Sequence, residues 1–205
     1  MSNPLSRRLT AVLLGSGLAL TSTIATAPAT AAPSEKVGTT SLAAVLGDDG
    51  QRLDRNWNDF DIVEAAVYAV LAAKPGSPVG LLADGDTRLT AFVPTDRAFR
   101  KFVRGIKGFA PKTEAKTLKQ VVKIAGDIDT VEAILLYHVV AGKTLTAKKV
   151  VAAEGQKVRT AQGRAFRIHV GKGGVFLVDK DRNAANPYVK VLDINKGNKQ
   201  VAHGI

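Results

Sequence analysis

Histidine is the first residue type to test for chemistry, and the sequence holds three, His138, His169 and His203. They stand too far apart to form a local ligand pair, and no paired spacing or neighbouring carboxylate supports a three-histidine metal site. His138 follows Ile134 by four residues and Leu135 by three, which puts it on the apolar face of a helix as a hydrogen-bonded core group. His169 alternates with Ile168 and Val170 on a strand. Beyond residue 32 the serines are Ser34, Ser41 and Ser77, none inside a Gly-x-Ser-x-Gly elbow, so a serine hydrolase is not expected. The absence of Cys removes thiolate nucleophiles, thiolate zinc sites, iron–sulfur clusters and a lipidated N-terminal cysteine. Asp84-Gly85-Asp86 lacks the remaining positions of a calcium loop and reads as a turn. Gly171-Lys172-Gly173-Gly174 lacks the Lys-Ser/Thr ending of a phosphate loop. These residues make no catalytic constellation, and no metal or cofactor is expected.

Composition sets the frame for the elements that position these residues. A length of 205 residues with 45% hydrophobic and 23% charged residues is a soft prior for one globular domain with an appendage. Residues 1–32 carry only Arg7 and Arg8 as charges, then an apolar run, then small residues ending at Ala31-Ala32. That pattern is a secretory signal peptide, with the general secretory route favoured and a bacterial source consistent with its alanine content. The apolar stretch 9–20 is interrupted by Gly15, Ser16 and Gly17 and is short for a retained anchor, so no stable membrane anchor is expected after leader removal. Losing the two arginines takes the formal charge from +11 to +9. Export makes nucleic acid an unexpected partner whatever the charge. Only 5% of residues are aromatic, and most fall at apolar-periodic positions, which gives little stacking surface for bases.

A polar lead-in at 33–40 precedes one domain at 41–205. Apolar residues from Ile62 to Leu71 recur at helical spacing, with Asp61 and Glu64 placed as a capping box. The run 89–93 reads as a buried strand, and Thr95 as the N-cap of the helix after it. Asp129 and Glu132 form a second capping-box pattern ahead of the helix ending in Tyr137-His138. Past that point the period is two, with strands expected at 164–170, 174–178 and 188–194 and a hairpin turn at the glycine cluster. Helices first and strands last is an α+β order. Between 101 and 123 the chain is basic, with Lys101, Arg104, Lys107, Lys112, Lys116, Lys119 and Lys123 separated by Phe and Val. Two readings stand for this stretch: a solvated helix face, or a contact surface for a polyanion.

The segment from Thr90 through Phe92, Pro94, Thr95 and Asp96 to Phe99 resembles the first signature of fasciclin domains, a Thr-x-Phe-x-Pro-Thr-Asn/Asp-x-Ala-Phe run joining a strand to a helix. Leu135-Leu136-Tyr137-His138 is similar to the family's Tyr-His segment, and Asp193-Ile194 with His203 to its closing region. The resemblance implies a β-wedge or sandwich with helices packed around it, acting in extracellular adhesion without catalysis. It also associates Tyr137, His138, Asp193 and Ile194 with receptor adhesion, against a reading of all four as core packing. Asn198-Lys199-Gln200-Val201-Ala202-His203 departs from the family's Asn-Gly-Val-Ile-His, with one extra residue after Asp193. The family's pattern continues past this point with an Asp and a final apolar strand segment, so an incomplete last strand with an exposed sheet edge is expected.

The function implied is a secreted adhesion or interaction module whose partner is an extracellular protein or an anionic glycan or envelope polymer, met through the basic surface. Two alternatives remain open at the level of sequence. One is an exported enzyme acting on an envelope component, which requires carboxylates or histidines that converge only in three dimensions. The other is a polyanion binder.

Overall fold

The structure, a computed structural model, describes residues 36–205 except 49, 51 and 182–184. The expected leader at 1–32 lies outside the described residues. Helices α1 (Leu42–Leu46) and α2 (Asp61–Ala73) and a short 3-10 turn (Pro78–Leu82) lead into strand β1 (Leu89–Val93). Helices α3 (Asp96–Lys107), α4 (Glu114–Ala125) and α5 (Ile128–Tyr137) follow. Then come β2 (Val139–Ala141), α6 (Ala147–Ala152), β3 (Lys157–Arg159), β4 (Ala165–Gly171), β5 (Gly174–Val178), β6 (Val191–Ile194) and β7 (Gln200–Gly204). No described helix is long and apolar enough to cross a membrane.

Two sheets organise the domain, so the expected α+β class with helices around a two-sheet wedge holds. The first has the order β2-β1-β7-β6, and the second β3-β4-β5. β1 pairs parallel with β7 and antiparallel with β2, which places the first signature against the closing region of the chain. Every residue of β1 is buried. Alternation along it explains why the sequence shows a continuous apolar run: Leu89, Ala91 and Val93 join a core with α1, α2 and α5, while Phe92 points into a second core with Val140, Val150, Phe166 and Ile168. Phe92 meets Phe166 edge-on at a centroid separation of 5.3 Å. β7 also lies between two strands, β1 and β6, with all five residues buried. The Ile205 amide donates to Val93 and its carbonyl accepts from the Thr95 amide and hydroxyl. The exposed edge expected of an incomplete last strand is therefore not at β7.

Several helix ends differ from their sequence reading, for one physical reason. Asp61 is the first residue of α2, not its cap; Phe60 occupies the cap position, and the Ile62 amide is satisfied by the Asp96 carboxylate, 34 residues away. Thr95 does stand at the cap position of α3, but its hydroxyl donates to Ile205. α5 is capped by Asp127, which accepts from the Thr130 amide at 2.7 Å. Glu132, expected in a capping box, instead accepts from Lys74 and Ser77. An orphan N–H takes whichever acceptor the packed fold brings nearest, and that acceptor can come from a distant element. The strand expected at 188–194 also divides: Tyr188 bridges to Phe176 of the second sheet, and only Val191–Ile194 enters the first. The Gly171–Gly174 hairpin forms as read, with Gly171 opposite Gly174.

Candidate functional site

The family-signature residues are held within the framework more than they are displayed. Thr90 is fully buried and its hydroxyl works twice, donating to the Lys143 carbonyl at 2.8 Å and accepting from the Leu145 amide at 2.7 Å. Pro94 is half-buried at the turn between β1 and α3, and Phe99, one turn into α3, packs against the first core. His203 is fully buried on β7. The Asp193 amide points at its Nδ1 (3.3 Å) and the Leu145 carbonyl lies 2.7 Å from its Nε2, a network that assigns the neutral Nε2–H tautomer. Burial holds its imidazole below its ordinary value, opposed by the Leu145 bond and the Asp193 charge.

Asp193 and Ile194 belong to the same framework. Asp193 has φ +59°, and its Oδ1 accepts from the Ala147 amide at 2.6 Å, at the start of α6, while Lys196 lies 3.5 Å from its Oδ2. Ile194 packs half-buried on the first core. Tyr137 and His138, at the end of α5, are half-buried too. Tyr137 Oη donates to Asp179 at 3.4 Å and its ring meets the His138 imidazole edge-on. Burial, then the Asp179 charge, raises the phenol above its ordinary value. His138 Nδ1 donates to the Ile134 carbonyl at 2.8 Å, and burial lowers its basicity. Tyr137 also lines a groove with Asp127, Arg164 and Asp179.

The basic residues lie elsewhere, on and between α3 and α4. Lys101, Arg104 and Lys107 on α3, Lys112 in the link, and Lys116, Lys119 and Lys123 on α4 are all exposed. None of them takes part in the ion pairs formed among the described residues. α3 also exposes Phe102, Ile106 and Phe109 lies just beyond it, each about half accessible at 47%, 52% and 51%. Beside Lys101, the Lys190 amine is held below its ordinary value by burial first, and then by the positive charges of Lys101 and Arg97.

One cluster escaped sequence reasoning. Asp59, Asp96 and Glu114 bring carboxylate oxygens within 4.8 Å of one another, and Asp54, Asp59 and Asp61 do the same. Asp96 and Glu114 are fully buried. Burial pushes Asp96 up to about 8, against the lowering effect of the Ile62 amide and with Asp59 adding to the rise. Burial and then the charges of Asp59, Asp54 and Asp61 push Glu114 up to about 7. The signal available in the sequence was the acidic run Asp54, Asp59, Asp61, Glu64 inside a basic chain. Among the described residues these two carboxylate groups are the ones that could hold a metal, and the three histidines join neither. His169 sits exposed beside Glu154. Asp84-Gly85-Asp86 is a turn in which Asp84 accepts from the Asp86 amide and the Thr87 hydroxyl.

Comparison with known proteins agrees with this geometry. A family model described as the fasciclin domain matches residues 69–205, well over half of the chain. A solved structure of a FAS1 domain pair from the insect cell adhesion molecule fasciclin I is similar with a TM-score of 0.53 at 17% identity, over 82% of this chain and 50% of that one. The chain thus spans about half the length of that domain pair. No curated protein matches. Fasciclin domains are non-catalytic adhesion modules. With the two signature segments hydrogen-bonded side by side as β1 and β7, and the model matching through to Ile205, the chain belongs to the fasciclin domain family.

Proposed function

We propose that this domain is a secreted adhesion module that holds anionic polymers of a cell envelope or matrix against the face formed by α3 and α4. One observation carries the reading: seven lysines and arginines on and between these two helices are exposed and outside the ion pairs among the described residues, with Phe102, Ile106 and Phe109 exposed beside them. Like charges left together cost stability through mutual repulsion, and an anionic polymer relieves that cost on contact. Each contact is weak and screened, so adhesion depends on their number and on salt. Secretion rests on the leader pattern at 1–32, and without Cys an exported domain would be held together by core packing. The buried setting of Asp96 and Glu114 speaks against the exported-enzyme reading, since a hydrolytic carboxylate pair has to reach a substrate.

The test is retention of the chain, without its leader, on an immobilised anionic polysaccharide. Retention that falls steeply as salt is raised is the expected result. Retention that is absent, or indifferent to salt, overturns the electrostatic reading.

A further inference from the structure

We propose that the carboxylates of Asp59, Asp96 and Glu114, with Asp54 and Asp61 beside them, form a binding site for a hard divalent cation, calcium by the chemistry of its donors. This does not rest on the adhesion reading. The donor set is all oxygen, and the two carboxylate groups share Asp59, with ligand atoms within 4.8 Å of one another in each. Calcium takes several carboxylate oxygens in a flexible shell, whereas magnesium holds to a tight octahedron and keeps most of its water.

Glu114 supplies an independent observation. Its side chain is fully buried, and neither carboxylate oxygen meets a hydrogen-bond donor. The charges that act on it are those of Asp59, Asp54 and Asp61, all negative. Nearby arginines are directed elsewhere. Arg97 donates to Asn58 Oδ1 at 3.2 Å, and Arg100 donates to the Pro111 carbonyl and stacks over the Trp57 ring at 4.8 Å. A buried carboxylate without a donor or counter-charge is costly, and such groups are normally paired or metal-bound.

The fold explains how the cluster is assembled. Asp61, Asp96 and Glu114 are the first residues of α2, α3 and α4, so three helix N-termini meet at the cluster. Each terminus offers about half a positive charge. Three of them offset part of the charge that the five carboxyl groups carry once ionised, and a divalent ion can displace the protons held there and take up the rest. Asp54 is exposed and gives the cluster a side open to solvent.

The competing occupant is protons alone, shared between neighbouring carboxyl groups. The experiment separates the two. Trp57, the only tryptophan of the chain, lies in sequence between Asp54 and Asp59 and serves as an antenna for terbium, a calcium surrogate. The chelator-treated full chain is titrated with terbium under tryptophan excitation and back-titrated with calcium, and thermal unfolding is followed with calcium, with magnesium and with chelator. The proposal expects saturable sensitised emission that calcium displaces, and a rise in unfolding temperature of several degrees with calcium and less with magnesium. In Glu114→Gln the emission falls at least tenfold and the calcium-dependent rise disappears. That variant's unfolding temperature in chelator should equal or exceed that of the parent, which shows that it still folds. Asp86→Asn, remote from the cluster, keeps the full response. No sensitised emission together with no calcium-dependent shift means that protons alone occupy the cluster, and overturns the proposal. An unchanged response in Glu114→Gln overturns it as well.

Discussion

Asp193 stands at a position that the resemblance associates with adhesion, and it also braces the fold. Its left-handed backbone, its bond to the Ala147 amide and its contact with Lys196 engage the side chain inside the fold. Asn accepts the same bond and tolerates positive φ, whereas Ala does neither. Asp193→Ala should therefore lose about 1–3 kcal/mol of stability, and Asp193→Asn less than about 1 kcal/mol, read from urea unfolding. Equal losses in the two variants would contradict the bracing role. His203 is the second case. Its folded value lies below the ordinary 6.5, so the stability it contributes is fully present above 6.5 and is lost as pH falls through the lower, folded value. Asp193 is the charged group acting on the ring, and the Phe92 ring lies at 5.4 Å. Carboxylates with raised values, such as Asp96, act on stability in the opposite sense, so the readout has to be site-specific. Nitrogen-detected NMR should find His203 neutral and protonated on Nε2 when the pH is taken just below 6.5. A doubly protonated ring in the folded protein at that pH would contradict the assigned network.

Elements whose signals are local were legible from sequence, and those completed by a partner were not. The β1 run, the Thr95 cap position and the glycine hairpin between β4 and β5 follow from spacing and turn chemistry alone. The capping boxes proposed at Asp61–Glu64 and Asp129–Glu132 fail because Asp96 and Asp127 reach the first turns instead. No local pattern shows that Gln200 of β7 donates to the carbonyls of Leu81 and Asp84 while its own oxygen accepts from Leu42. The turn at Gly85 has the same character. An added Cβ there would lie 1.7 Å from the Thr39 carbonyl oxygen, so the segment at 39–41 needs a bare backbone to pack against. Gly85→Ala should destabilise the domain by about 1–3 kcal/mol, of the size expected for overpacking. An unchanged unfolding midpoint would mean that the 39–41 segment is not docked there.

At the scale of the whole molecule, the family and the α+β architecture could be read from three short segments, two of which lie side by side on β1 and β7. The carboxylate cluster could not, since Asp59, Asp96 and Glu114 meet only when α2, α3 and α4 bring their N-termini together. The basic run lay between a solvated face and a contact surface, and sequence alone left both open. Its exposure, with Phe102, Ile106 and Phe109 exposed beside it, supports the contact surface as the account's central claim. The most direct test compares salt-dependent elution from an immobilised anionic polysaccharide for two triple variants of equal charge. Lys101→Gln with Arg104→Gln and Lys107→Gln removes three exposed cations of α3, and Lys148→Gln with Lys157→Gln and Lys172→Gln removes three exposed lysines outside α3 and α4. The account predicts that the α3 variant elutes at much lower salt while the second stays close to the parent. Equal shifts in the two would reduce the effect to net charge and contradict a localised adhesion face.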